Sequence, residues 1–273
     1  MNSYADLTTL KSSSYLNITV TDYDVYLRKL LESASREIDR LCERYFYCVT
    51  GTRYYDGAGR KLFIRDDLLY ITSLATDEDG DGTYENTFET SDYIAYPLNT
   101  FPKTRLELAS GGNYGSFASG ILNGVKLVGI FGYGDGISIT PYYASGTTTA
   151  EELDISETDV DVADATKLAV GQTIRVEAEQ MFVESISTNT LTVRRGVNGM
   201  VAATHATGKT ISIYEFPAPI TQACLIMAMR RWKRKDTGYA DVISSPELGQ
   251  ISVWKGLDPD VEEIISEYKK WWY

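Results

Sequence analysis

Few residue groupings in this chain could do chemistry, and the most suggestive is an acidic loop. Asp77, Asp79 and Asp81 stand at alternate positions in Asp77-Glu78-Asp79-Gly80-Asp81-Gly82-Thr83-Tyr84. Gly82 falls where a sharp turn is needed, and Thr83 can offer its carbonyl. Calcium takes oxygen ligands in this spacing, and its helix–loop–helix motif closes with a bidentate Glu at the twelfth position. Phe88 occupies that position here, with Glu89 one step late. The flanks read as strands. Two readings therefore stand: a calcium loop with an incomplete ligand set, or an acidic, solvated hairpin loop.

The single histidine, His205, lies in Ala203-Thr204-His205-Ala206-Thr207-Gly208. One His cannot build a metal site alone, and no GxSxG nucleophile motif accompanies it. A loop histidine with a local hydrogen bond is the expectation. Gly129, Gly132, Gly134 and Gly136 follow a strand, but no helix opens after them, and a phosphate cradle needs that helix N-terminus. These glycines are expected to let the chain bend. Cys42, Cys48 and Cys224 form no CxxC pair, and their odd count fits a reducing compartment. No catalytic residue and no cofactor are expected, so the chain does not read as an enzyme.

The one concentrated positive patch is Arg230-Arg231-Trp232-Lys233-Arg234-Lys235. Cations at a helix C-terminus are stabilised by its dipole, which is the simplest account. In a protein of net charge −12, a contact with a partner subunit is favoured over one with DNA phosphates. Arg230, Arg231, Arg234 and Lys235 are thus candidate partner-binding residues. The terminal Trp271-Trp272-Tyr273 either caps the core or anchors in a partner's pocket.

The elements that must position these residues follow from patterning. Leu27, Leu30, Leu31, Ala34, Ile38, Leu41 and Cys42 have the three-four spacing of one helical face, predicting a helix from about Asp22 to Arg44 with Thr21 or Asp22 as cap. Short strands are expected at Lys61–Ile64, Leu68–Leu74, Phe88–Tyr96, Leu106–Leu108 and Val125–Phe131. After a Gly/Thr-rich linker, seven acids fall between Glu151 and Asp164 with no base among them. Evenly spaced alternating runs follow, which read as a small β-sandwich or barrel. Helix returns after Pro217-Ala218-Pro219, and the last helix starts at Asp258-Pro259. The N-terminus does not read as a signal peptide, and no apolar run is long enough to span a bilayer, so a soluble protein is expected.

Three stretches now carry a resemblance. The first is Tyr23-Asp24-Val25-Tyr26-Leu27 with Ala34 through Phe46, then Arg53-Tyr54-Tyr55-Asp56-Gly57. The second is Asp66-Asp67-Leu68-Leu69, Ile71-Thr72-Ser73-Leu74 and the Asp-Gly loop. The third runs from Pro219-Ile220-Thr221-Gln222-Ala223-Cys224-Leu225 through Arg234-Lys235-Asp236 and Glu247-Leu248-Gly249 to Leu257-Asp258-Pro259-Asp260-Val261. In order and content they resemble the tailed-phage head–tail connector (adaptor) family. The stretch 141–216, with Glu179-Gln180-Met181 and Arg195-Gly196-Val197-Asn198-Gly199, resembles small β-modules of phage virion proteins.

The resemblance implies an α+β fold. Residues 1–140 and 217–273 would form a helical-bundle core with a β-hairpin arm, and 141–216 an inserted small all-β domain. It implies a structural protein of the virion, assembled in the host cytoplasm. Its partners would be other copies in a dodecameric ring, the portal protein, a downstream neck or tail protein, and double-stranded DNA in passage. Family members use the C-terminal segment against the portal, which would give Trp271 and Trp272 that role. The alternative reading is a tail-associated binding module whose β-insert recognises another virion protein or a host glycan.

Overall fold

The computed structural model describes residues 2–134, 141–235, 242–245, 249–252 and 256–270. Helices α1 (Leu7–Lys11) and α2 (Asp24–Cys42) come first. Six strands follow: β1 (Val49–Tyr55), β2 (Lys61–Thr76), β3 (Asn86–Thr87), β4 (Tyr93–Tyr96), β5 (Lys103–Leu108) and β6 (Val125–Phe131). Six more are β7 (Tyr142–Thr148), β8 (Asp159–Asp161), β9 (Thr173–Val176), β10 (Glu179–Ser187), β11 (Thr190–Arg194) and β12 (Thr210–Tyr214). Helix α3 (Ala218–Lys235), the hairpin β13 (Val242–Ser245) and β14 (Gly249–Ser252), and helix α4 (Pro259–Tyr268) complete the chain.

Two six-stranded antiparallel sheets dominate, so the expected helical-bundle core with a β arm is overturned and the fold is β-rich. The physical reason lies in the strands. An arm would leave both of its faces wet, but alternate residues of β2, β5 and β6 are buried in a core that these strands build for themselves. Contacts group Met1–Glu43, Tyr142–Val197 and Val201–Tyr273 into one compact unit and Arg44–Pro141 with Asn198–Met200 into another. The helices thus share a unit with the β-segment that begins at Tyr142.

In the second unit the sheet order is β1-β6-β2-β5-β4, with β3 paired to β2. β6 alternates strictly, burying Val125, Leu127 and Phe131 on one face. The two strands expected at Lys61–Ile64 and Leu68–Leu74 form one bent strand. The first part of β2 pairs with β5 and the rest with β6, and the register slips at irregularities along it. Two glycines allow close backbone approach on either side of β6, Gly129 against β2 and Gly132 against the segment that leads into β1. A Cβ on Gly129 would lie 2.2 Å from the Tyr70 carbonyl oxygen, and one on Gly132 would lie 2.3 Å from that of Tyr47.

In the first unit the strand order is β7-β12-β9-β10-β11-β8. A bridge between Thr149 and Val162 joins the two outer strands, with Ala150 N–H donating to Asp161 O at 2.8 Å and Ala163 N–H to Thr148 O at 3.0 Å. The sheet therefore closes into a barrel with no free edge along these residues. Leu153, Val160, Ile174, Val176, Met181, Val183, Leu191 and Ile211 fill it.

Helix α2 packs against α3, and α4 packs against both. No side-chain hydrogen bond caps α2: Tyr23 holds the N-cap position, so neither Thr21 nor Asp22 caps it. Asp258 caps α4 with Pro259 in its first turn, which supplies a donor-free residue where the helix has no use for the N–H. The N-terminal segment ties helices to barrel. Tyr4 N–H donates to Ser35 Oγ of α2 at 3.0 Å, and Leu7 N–H donates to Val170 O at 3.0 Å. Among the described residues no helix is long and apolar enough to cross a membrane.

Candidate functional site

The acidic loop joins β2 to β3. Asp77, Asp79, Asp81 and Glu85 each place a carboxylate oxygen within 4.8 Å of the others. Glu85 is the residue that sequence reasoning missed. Counting Asp77 as the first position, it stands ninth, a ligand position in calcium loops, whereas only the twelfth was sought. The loop also holds its shape by itself. Asp77 accepts N–H bonds from Gly80 at 2.6 Å and Gly82 at 2.8 Å, and Asp81 accepts one from Thr83 at 2.6 Å. Burial raises the Asp77 pKa, but these backbone donors outweigh it and hold the carboxyl below its ordinary range. Gly80 and Gly82 both adopt positive φ, which lets their amides turn inward. Four carboxylates supply a hard-cation donor set with fewer protein ligands than calcium's usual six to eight oxygens.

The basic patch lies on α3, where two of its arginines are engaged inside the protein. Arg230 donates to Asp258, the cap of α4, at 2.8 Å. Arg231 donates to Ser33 Oγ at 3.0 Å and forms an ion pair with Glu37, both on α2. Lys235 lies 4.0 Å from the Trp232 ring centroid and 5.4 Å from that of Tyr23. A cleft of about 210 Å3 runs along Arg230, Arg231 and Arg234, with Glu37, Leu257 and Asp258 in its walls. The charges that read as an outward patch therefore also bind the three helices together. Trp271, Trp272 and Tyr273 lie outside the described residues, as does Gly136.

A third grouping sits at one end of the barrel, and the sequence hid it. His205 is 3 % exposed and Glu179 only 1 %. His205 Nδ1 lies 2.8 Å from Glu177 Oε2, and its Nε2 lies 2.9 Å from Glu179 Oε2. Arg195 grips Glu179 with two nitrogens, Nε at 2.7 Å and Nη2 at 2.8 Å. The amides of Gly196 and Ala203 each donate to the same carboxylate at 3.0 Å. Arg195 spends further donors on the carbonyls of Asp154, Glu157 and Ala203. Lys209 pairs with Glu177 at 2.6 Å.

This geometry is a clamp. Burial alone would raise the Glu179 pKa, but Arg195, His205 and the two amides outweigh it and pull the carboxyl down to about 2. Lys209 and His205 lower that of Glu177. Every lone-pair direction of Glu179 faces a donor, which leaves no open position for substrate or metal. Glu179 and Arg195 stand sixteen positions apart and meet because β10 and β11 form a hairpin. The only sequence signal was a charged residue opening an apolar strand, Glu179-Gln180-Met181-Phe182-Val183.

Compared with family models and with curated proteins, the chain matches none.

Proposed function

We propose that this chain is a structural subunit of the phage head–tail connector type, which forms a dodecameric ring between the portal and the neck or tail and surrounds the DNA exit path. One observation carries the reading. Many of the residues that bear the resemblance fall on α2, β1, β2, α3 and α4, and the three helices among these pack on one another through Arg231 with Glu37 and Arg230 with Asp258. Helices interlocked in this way can act as one rigid body in a subunit contact. The reading is also compatible with the chemistry of the sites. The barrel clamp is saturated by its own donors. A net charge of −12 suits a passage that DNA traverses without adhering.

The test is assembly. The full chain is purified and mixed with the portal ring, and the mixture is followed by mass measurement and negative-stain imaging. A ring of copies stacked coaxially on the portal is expected. The free chain can be monomeric until the portal templates it, so persistent failure to bind the portal would refute the proposal. Removing residues 271–273, which spares the buried Lys270 and its N–H bond to Cys42 O at 2.9 Å, is expected to abolish portal binding while leaving the melting temperature unchanged, and normal docking by the shortened chain would exclude the terminal aromatics from that contact.

A further inference from the structure

A second cleft in the first unit, of about 180 Å3, has walls of uneven chemistry. Tyr143, Tyr214 and Phe216 line it together with two acids, Asp6 and Glu215. The rings of Tyr214 and Phe216 sit 4.7 Å apart and form an aromatic wall, while Tyr143 is 47 % exposed. Asp6 caps α1, accepting from Thr9 N and Thr9 Oγ1 at 2.8 Å each, both of them uncharged donors. Neither Asp6 nor Glu215 makes an ion pair within 4.0 Å among the described residues. The two charges are felt inside the cleft: the Tyr143 phenol is pushed up by burial first, and then by Asp6 and Glu215.

We propose that this cleft binds an organic cation, the guanidinium or ammonium head of a basic side chain, between the Tyr143 ring and the carboxylates of Asp6 and Glu215. Aromatic faces attract such heads through their quadrupole, and an aliphatic stem can lie along the remaining apolar wall. Other ligand classes fit less well. Two like charges repel an anion, and two carboxylates among aromatic rings fall short of the oxygen shell a hard metal ion requires. The inference is independent of the connector reading. The same head group can come from a second copy of this chain or from a separate molecule.

The probe is N-acetyl-argininamide, titrated into the full chain while the aromatic carbon–proton signals of Tyr143 and Tyr214 are followed by NMR. A saturable shift at millimolar probe is expected, weakening as salt is raised. The double variant Asp6→Asn, Glu215→Gln should bind about tenfold or more weakly, the loss expected of two screened ion pairs. Asn caps a helix as well as Asp does, so α1 should survive. The salt series on the unaltered chain tests the idea even if the double variant does not fold. Absence of a saturable shift, equal binding of N-acetyl-glutamine amide, or salt-independent binding would each overturn the proposal. Sedimentation of both proteins then identifies the source. Self-association lost in the double variant assigns the cation to a second copy, and a monomer at all concentrations assigns it to a separate molecule.

Discussion

Replacing Glu179 by Gln should cost the barrel its principal clamp, and the cost should depend on pH in a calculable way. The carboxylate receives Arg195 Nε and Nη2 at 2.7 and 2.8 Å, faces His205 Nε2 at 2.9 Å, and accepts two backbone amides at 3.0 Å. Its pKa falls from an ordinary 4.5 to about 2. That difference corresponds to about 3 kcal/mol of folding stability. Because the folded value is the lower one, the contribution is present above pH 4.5 and is lost as the pH falls toward 2. About 2 kcal/mol of it should be gone by pH 3. At pH 7 the Gln variant also leaves Arg195, whose side chain is 6 % exposed, without its counter-charge. The expected deficit there is about 3–5 kcal/mol, typical of breaking one side of a buried pair. Urea denaturation followed by tryptophan fluorescence suits the measurement, since no tryptophan falls within residues 44–141 and Trp232 lies on α3, in the unit that holds the barrel. A deficit that stays constant between pH 7 and pH 3, or one smaller than about 1 kcal/mol at pH 7, would refute the clamp.

Other expectations are smaller or simpler. Arg231→Glu places a second anion beside Glu37 and should lower stability by about 1 kcal/mol, the scale of a partly exposed pair, as read by the same denaturation. Asp77→Ala removes the acceptor for the Gly80 and Gly82 amides, so melting in chelator should occur at a lower temperature than for the unaltered chain. Calcium added to the unaltered chain tests the four-carboxylate set separately, and an unmoved melting temperature would remove the loop as a calcium site. Gly129→Ala forces a methyl group against the Tyr70 carbonyl and should cost about 1–3 kcal/mol, visible by circular dichroism as earlier loss of β signal. An alanine variant as stable as the parent would mean that β2 and β6 can separate there without penalty.

Much of the local structure was legible because it depends on neighbours along the chain. The apolar stripe of α2, the Asp258-Pro259 start of α4 and the strict alternation of β6 are all local patterns. The bend in β2 was not legible as one element, since Asp66 and Asp67 interrupt the alternation and a bulge resumes it in another register. The weight given to the helices was also misplaced. Strand residues such as Leu62, Leu106 and Leu127 looked like the parts of an arm, because a sequence does not say which strands will share a core.

Composition and periodicity by themselves determined the acidic balance, helices α2, α3 and α4, most strands and the acidic loop, all of which follow from the preferences of residues close in the chain, whereas the short α1 was not read from the sequence. Tertiary structure alone decided that the barrel closes through Thr149 and Val162, that Arg230 and Arg231 turn inward to bind helices together, and that a lone histidine is held between two glutamates. Each of these depends on groups from about a dozen to nearly two hundred residues apart being brought within about 3 Å, the range at which hydrogen bonds and ion pairs act.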